Sequence, residues 1–423
     1  MRSHRRLAVA VAAATVIALV GCGRDSSDGQ EGARSVSDGK ATGEITVWAM
    51  GTEGEKLGAF AQDFMTENPD AKVTVTAVPW DAAHQKIASA IAGRQTPDVS
   101  MIGTTWMGEF AKTGTLDPTP TDLFDRASFF PGAWDTTVVD GTSYGVPWYV
   151  ETRLIFYRKD LAQRAGITEL PRSWEELTAF ATALKQKAGA ESGLYLQPGG
   201  TGSWQSFLPF AWSNGANLVD GDRLTLDTPE LTEAAAYYRS FFVDKLSTTT
   251  DLGLQGSLEQ SFVDGKTAAF ISGPWHVGLL AEQGGPGFTE KFGVLPMPRR
   301  KSATSFIGGS DLAVFSDAKN RDGAWKFVSW LSRPEVQVKW YQTVKDLPAV
   351  QQSWQDPGLT GDPFLSAFGE QLKDAKSPPP MATWEQIAAV IDAEVERVAK
   401  SGTDPAAAVK AMQERAGSVG TGS

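Results

Sequence analysis

Apolar and polar positions alternate in short runs, then recur at helical spacing, from Glu44 almost to the end of the chain. Glu44-Ile45-Thr46-Val47-Trp48 is β-branched and predicts a strand. From Lys56 to Asn68 the residues Leu57, Phe60, Ala61 and Phe64 share one helical face, and Asn68-Pro69 ends the run. Lys72 to Val78 alternates as a second strand, Ala82 to Ala92 predicts a helix closed by Gly93, and Asp98 to Ile102 predicts a third strand. This β-α-β-α-β order predicts a parallel sheet with helices on its faces. Ligands in such sheets sit beyond the carboxyl ends of the strands. The segments Trp48 to Glu53 and Gly103 to Trp106 are therefore candidate site loops.

A second block begins near Tyr144. Gly145-Val146-Pro147-Trp148 leads into an apolar strand at Arg153 to Tyr157. Ser173 caps a helix, and Glu176 three residues on completes a capping box. Residues 197–219 are rich in aromatics and glycine. Helices are predicted at 229–244 and 256–264, and strands at 267–272 and 292–296. Phe306 to Asp311 is expected as a glycine-bearing loop and Leu312 to Phe315 as a short strand. Helices follow at 321–332 and 334–345, then, after Pro378-Pro379-Pro380, at 383–400 and 404–416. No solenoid period and no heptad repeat is present. The fold class is α/β, and the length suggests two lobes.

The N-terminus is of another kind. Arg2, Arg5 and Arg6 precede an uncharged Leu7–Val20 run of about 14 residues, against the ~20 that a membrane-spanning helix needs. A basic start, a short apolar run and small residues before a cleavage point define an export signal. Leu19-Val20-Gly21-Cys22 resembles the lipobox of bacterial lipoproteins, in which the cysteine sulfur is acylated. An ordinary signal with an incidental Cys22 is the alternative, and Arg5-Arg6 fits a twin-arginine signal weakly. Cys22 is the only cysteine, so the body has no disulfide and must rest on its core. Residues 23–42 are Gly, Ser and charge, and read as a flexible tether. Removing residues 1–21 takes the net charge from −11 to −14, which argues against nucleic acid or anionic lipid as partners.

Few residues suit catalysis. There are three histidines: His4 in the signal, His84 and His276. No HxxxH, CxxC, GxSxG, Walker A or strand-following GxGxxG motif occurs. No metal or cofactor is expected. Acidic pairs could serve a glycosidase, but sequence does not supply their separation. His276 beside Trp275 is either functional or a hydrogen-bonded structural residue. Tryptophan is abundant, with fourteen in 423 residues. Trp48, Trp106, Trp148, Trp204, Trp212, Trp275 and Trp384 fall mostly at strand ends or loops, beside Gly or Pro. Each can be a core residue, but aromatic faces also pack on the C–H face of a sugar while polar neighbours take its hydroxyls. Glu53, Glu151, Arg153 and Asp311 are the polar candidates nearby, with salt bridging as the other reading of each.

Six phrases, in order, carry a resemblance: ITVWAM with its helix, PDVSMI before Trp106, YGVPWYVETRLIFYRKDL, SWEEL, FVDGKTAAFISGPW and GVLPMP…GGSDLAV. The chain resembles the extracellular solute-binding proteins of bacterial ABC importers, the sugar-binding family that includes maltose- and maltodextrin-binding proteins. That resemblance implies a two-lobed periplasmic-binding-protein fold, with discontinuous lobes joined by a hinge around a ligand cleft. The lobes would be 43–150 plus 304–349 and 151–303 plus 350–423, preceded by a signal (1–21) and a lipid-anchored tether (22–42). It implies no enzyme activity, a monomer held at the cell membrane on its extracytoplasmic face, and an ABC permease as partner. Trp275 resembles the principal stacking aromatic, Trp384 a second and Trp204 a third. Glu53, Thr104, Thr105, Trp106, Glu151, Gly308, Gly309 and Ser310 match ligand-contact segments, with Trp48, Trp148 and Arg153 beside them. The segment that often carries an acidic residue here reads Gly103-Thr104-Thr105-Trp106, so the sugar is left open. A gluco-oligosaccharide or α-glucoside such as maltose or trehalose leads. Xylo- or cello-oligosaccharide, glycerophosphodiester, a lipid-anchored glycoside hydrolase, and a sensor subunit or adhesin are the alternatives.

Overall fold

The computed structural model describes residues 34–221, 223–252 and 256–422. Two sheets organise them. In the larger, the strands run Ala71–Val78, Gly43–Met50, Val99–Gly103, Ser305–Val314, Val146–Thr152 and Leu347–Pro348 from edge to edge. The first three are parallel, as the β-α-β-α-β pattern predicts. The other three are antiparallel to these neighbours, and a seventh, two-residue strand, Ala375–Lys376, pairs in parallel with the start of Ser305–Val314. The smaller sheet is Ala269–Ser272, Leu154–Arg158 and Phe292–Leu295, all antiparallel. The result is a two-lobed α/β fold of the periplasmic-binding-protein type. The chain passes between the sheets at Thr152-Arg153-Leu154 and again between Leu295 and Ser305, and after Pro348 it returns to the larger sheet with the short Ala375–Lys376 strand.

Buried residues show why these segments become strands. Ile45, Val47, Ala49 and Met50 are almost fully buried on the first strand, and Val99 to Gly103 is buried throughout. Asp98 stitches the strand beginnings together. Its Oδ2 accepts from the Thr46 N–H (2.8 Å) and hydroxyl (2.7 Å), and its Oδ1 accepts from the Asn320 N–H (3.0 Å).

Three expectations change. The first helix spans Gly51–Phe60 and a second Gln62–Glu67, so no loop separates Trp48 from Glu53; the strand turns straight into the helix at Gly51, whose φ is +53°. Residues 305–314 form one ten-residue strand rather than a loop and a short strand. Glycine is needed there by close approach: a Cβ on Gly309 would lie 2.1 Å from the Tyr149 carbonyl oxygen, and Gly309 has φ +125°. Finally, residues 34–42 are held on the body. Arg34 pairs with Asp117 (2.9 Å), Arg321 Nη2 donates to the Arg34 carbonyl (2.7 Å), and the Ala41 N–H donates to Asn68 (2.9 Å). Cys22, the signal and the rest of the tether lie outside the described residues.

The Ser173 cap is present, its hydroxyl accepting from the Glu176 N–H at 3.2 Å. The Glu176 carboxylate reaches back to the Arg172 N–H (2.7 Å), one residue before the position a reciprocal box would use.

Candidate functional site

Three cavities adjoin one another through shared lining residues. The first, of about 700 Å³, is lined by Glu53, Tyr149 and Glu151 on one side and by Trp275, Leu279 and Phe364 on the other, among further residues that include Tyr341 and Asp346. The middle one, also about 700 Å³, shares Trp275 with the first. The third, of about 390 Å³, shares Gly200, Thr201, Gly202 and Gln205 with the middle one and adds Thr105, Trp106 and Trp204.

Trp275 stands where the first two cavities meet. It opens the Trp275–Gly284 helix directly after the Ala269–Ser272 strand, and Gly273-Pro274 makes the turn. A side chain at Gly273 would strike the indole, since an added Cβ would lie 2.0 Å from it. Trp275 is 42% exposed. One face meets the Arg153 guanidinium, whose carbon lies 4.7 Å from the ring centroid; Phe306 flanks the same guanidinium at 5.0 Å. Arg153 is itself buried, pairs with Glu151 at 3.1 Å and donates to Gln205. The arrangement is a fixed cation beneath an open aromatic face, with carboxylate and amide groups around it.

Carboxylates crowd the first cavity. Burial raises the Glu53 carboxyl above its ordinary range, against the hydrogen bonds from its own backbone N–H and from Tyr149. Asp346, partly buried, is pushed well up by desolvation and by the nearby Glu53 charge, and its Oδ2 accepts from Trp340 Nε1 (3.0 Å). Acceptors of this kind suit hydroxyl donors. His276 lines the middle cavity beside Trp275. Ser272 Oγ lies 2.7 Å from its Nδ1 and Glu259 3.2 Å from its Nε2. Burial, aided by Arg153 and opposed by Glu259, pushes the imidazole down to about 4, so it is neutral at pH 7.

Of the residues singled out from sequence, Glu53, Glu151, Arg153, Thr105, Trp106, Trp204 and Trp275 line these cavities. Thr104 lies in the short turn before Trp106, and Trp48 carries the Lys86 ammonium 4.5 Å above its ring; neither lines them. Trp148 is buried and stacked on Trp340 at 4.9 Å. Trp384 is buried edge-on against Trp204 at 5.2 Å. Gly308, Gly309 and Ser310 are strand residues opposite Glu151, Val150 and Tyr149, and Ser310 Oγ is 3.3 Å from the Tyr149 hydroxyl. Asp311 is fully buried away from the cavities, beside Thr136. Tyr149, Gln205 and Asp346 escaped sequence reasoning, because nothing local distinguishes them from ordinary strand, helix or loop residues. Among the described residues no group of three or more His, Cys, Asp or Glu is placed to hold a metal ion.

A family model described as bacterial extracellular solute-binding protein matches residues 49–338. The diacetylchitobiose binding protein DasA of Streptomyces coelicolor is 32% identical, over 77% of this chain and 77% of its own length. The solved structure of the sugar-binding protein MalE from Xanthomonas citri is 33% identical, with a TM-score of 0.83, covering 88% of this chain and 96% of that one. The GacH receptor of Streptomyces glaucescens, solved unliganded and with acarbose, is 28% identical with a TM-score of 0.75, covering 89% of this chain and 97% of that one.

Proposed function

The chain belongs to the bacterial extracellular solute-binding protein family, and from that premise we propose that it captures a di- or oligosaccharide for a carbohydrate ABC importer. The observation that carries the reading is Trp275: an indole left 42% exposed where two cavities meet, braced from below by Arg153. A sugar ring laid on that face covers apolar area, and Glu53, Glu151 and Gln205 accept or donate to its hydroxyls. A gluco-oligosaccharide or α-glucoside such as maltose or trehalose is the proposed ligand; the likeness to MalE and to the acarbose receptor supports it.

The two lobes, 43–150 plus 304–349 and 151–303 plus 350–423, close about their crossing segments and bury the ligand. A permease then reads the closed shape, and the sugar leaves unchanged. Acylation of Cys22 holds the protein on the outer face of the cell membrane; the Leu19-Val20-Gly21-Cys22 pattern supports that part.

Calorimetry against maltose, trehalose, maltotriose and diacetylchitobiose tests the reading. The wild-type chain should bind at least one without releasing reducing ends. Trp275→Ala should lose about tenfold or more in affinity, roughly 1–2 kcal/mol. Turnover that depends on a single carboxylate would overturn the binding reading in favour of a hydrolase.

A further inference from the structure

Two of the fourteen tryptophans are more than a third exposed: Trp275 at 42% and Trp80 at 40%. The cavities account for the first. Trp80 begins the Trp80–Gly93 helix just after the Ala71–Val78 strand, so it stands at the carboxyl edge of the larger sheet. Its ring meets Trp106 edge-on at 5.8 Å. Gly51 is also close to it. A Cβ built there would lie 2.7 Å from the Trp80 indole nitrogen and 3.3 Å from Glu53 Oε2. Trp80 is therefore close both to Glu53, which lines the first cavity, and to Trp106, which lines the third.

The middle cavity has no wall from that side. All its lining residues fall between Arg153 and His276, whereas the first and third cavities are lined by both sheets' neighbourhoods. An indole 40% exposed forgoes about 25 cal/mol for each Å² of apolar surface it could bury. Gly51 leaves room for the ring there, because any side chain at that position would strike it.

We propose that Trp80 is the missing wall. When the lobes close on a saccharide, its ring packs on the free face of the sugar unit that lies against Trp275 and Arg153. This rests on the saccharide-binding reading and adds a specificity-determining residue to it. An aromatic wall from each lobe selects a pyranoside that presents C–H groups on both faces. A glycerophosphodiester presents neither, and gains nothing from closure at this point.

The test uses the full chain and the same four sugars. Trp80→Ala should weaken binding about tenfold, with the melting temperature of the free protein unchanged; Trp80→Phe should restore most of the affinity. Unchanged affinity in Trp80→Ala, alongside weakened binding in Trp275→Ala, overturns the inference and leaves the binding reading standing. Loss in both Trp80 variants with a lowered melting temperature overturns it in favour of a structural role. If wild type binds none of the sugars, both fall. A second measurement is independent of affinity loss. In Trp275→Phe, Trp80 is the one remaining tryptophan more than a third exposed. Saturating sugar should reduce its quenching by iodide, and quenching unaffected by sugar refutes the contact.

Discussion

Asp311 offers a quantitative test of how the larger sheet tolerates a carboxyl group in its core. The side chain is fully buried, and its polar neighbour is Thr136 Oγ1, 3.1 Å from each carboxyl oxygen. Thr136 has a single hydroxyl proton, and the Ala133 carbonyl oxygen lies closer, at 2.6 Å. When the hydroxyl donates to Ala133, the pair with Asp311 needs a proton from the acid. Burial accordingly raises Asp311 to about 8, with the Thr136 contact opposing the rise. Between the unfolded value of 3.8 and about 8, the folded chain holds a proton that the unfolded chain lacks. Stability from this group therefore falls as pH rises through that window, by up to about 1.4 kcal/mol per pH unit. Asp311→Asn keeps the shape and supplies N–H donors, so it removes the proton linkage without opening a cavity. The stability difference, variant minus wild type, should grow by about 4 kcal/mol from pH 5 to pH 9. Urea midpoints at each pH, with a common slope, measure it. A difference that stays flat across this range would falsify the picture of a proton held on Asp311. Sugar affinity should be unchanged, because the residue lines none of the cavities.

Two further predictions concern the cleft and the anchor. Arg153→Met retains bulk between Trp275 and Phe306 but leaves Glu151 unpaired, so stability should drop by about 2–4 kcal/mol and sugar affinity should weaken; adding Glu151→Gln should recover part of the stability in a double-mutant cycle, and no recovery would mean the pair carries no coupling. Cys22→Ala should release the protein from the cell surface with sugar affinity intact; retention at the surface, by fractionation and immunoblot, would rule out a lipid anchor there.

Regular elements were legible because each carries its own periodicity. The strands at 72–78 and 98–102 and the helices at 229–244 and 334–345 agree with the structure to within a residue or two. The exceptions follow from tertiary contacts. The Gly308-Gly309 pair reads locally as a loop, yet pairing with Glu151 and Val150 makes it strand. Trp148 and Trp384 sit beside Pro or after a proline run, as cleft aromatics do, but face inward onto Trp340 and Trp204. Direction, not spacing, separates them from Trp275. Trp80 carried no signal because the pattern placed it in a linker, two residues before the predicted helix. Asp346 owes its place beside Glu53 to a contact between segments almost three hundred residues apart, which no local pattern encodes.

The place of the Ser305–Val314 strand also sets an order of events during synthesis. It lies between Val99–Gly103 and Val146–Thr152 in the finished sheet, yet follows every strand of the smaller sheet along the chain. Until Val314 has been made, those two earlier strands have unpaired peptide groups on the edges that will face it. The N-terminal lobe therefore cannot complete its sheet while it emerges, however early its first strands form; it waits for most of the C-terminal lobe. A fragment ending before Ser305 is a sheet with its middle missing, and the smallest unit able to fold is close to the whole body.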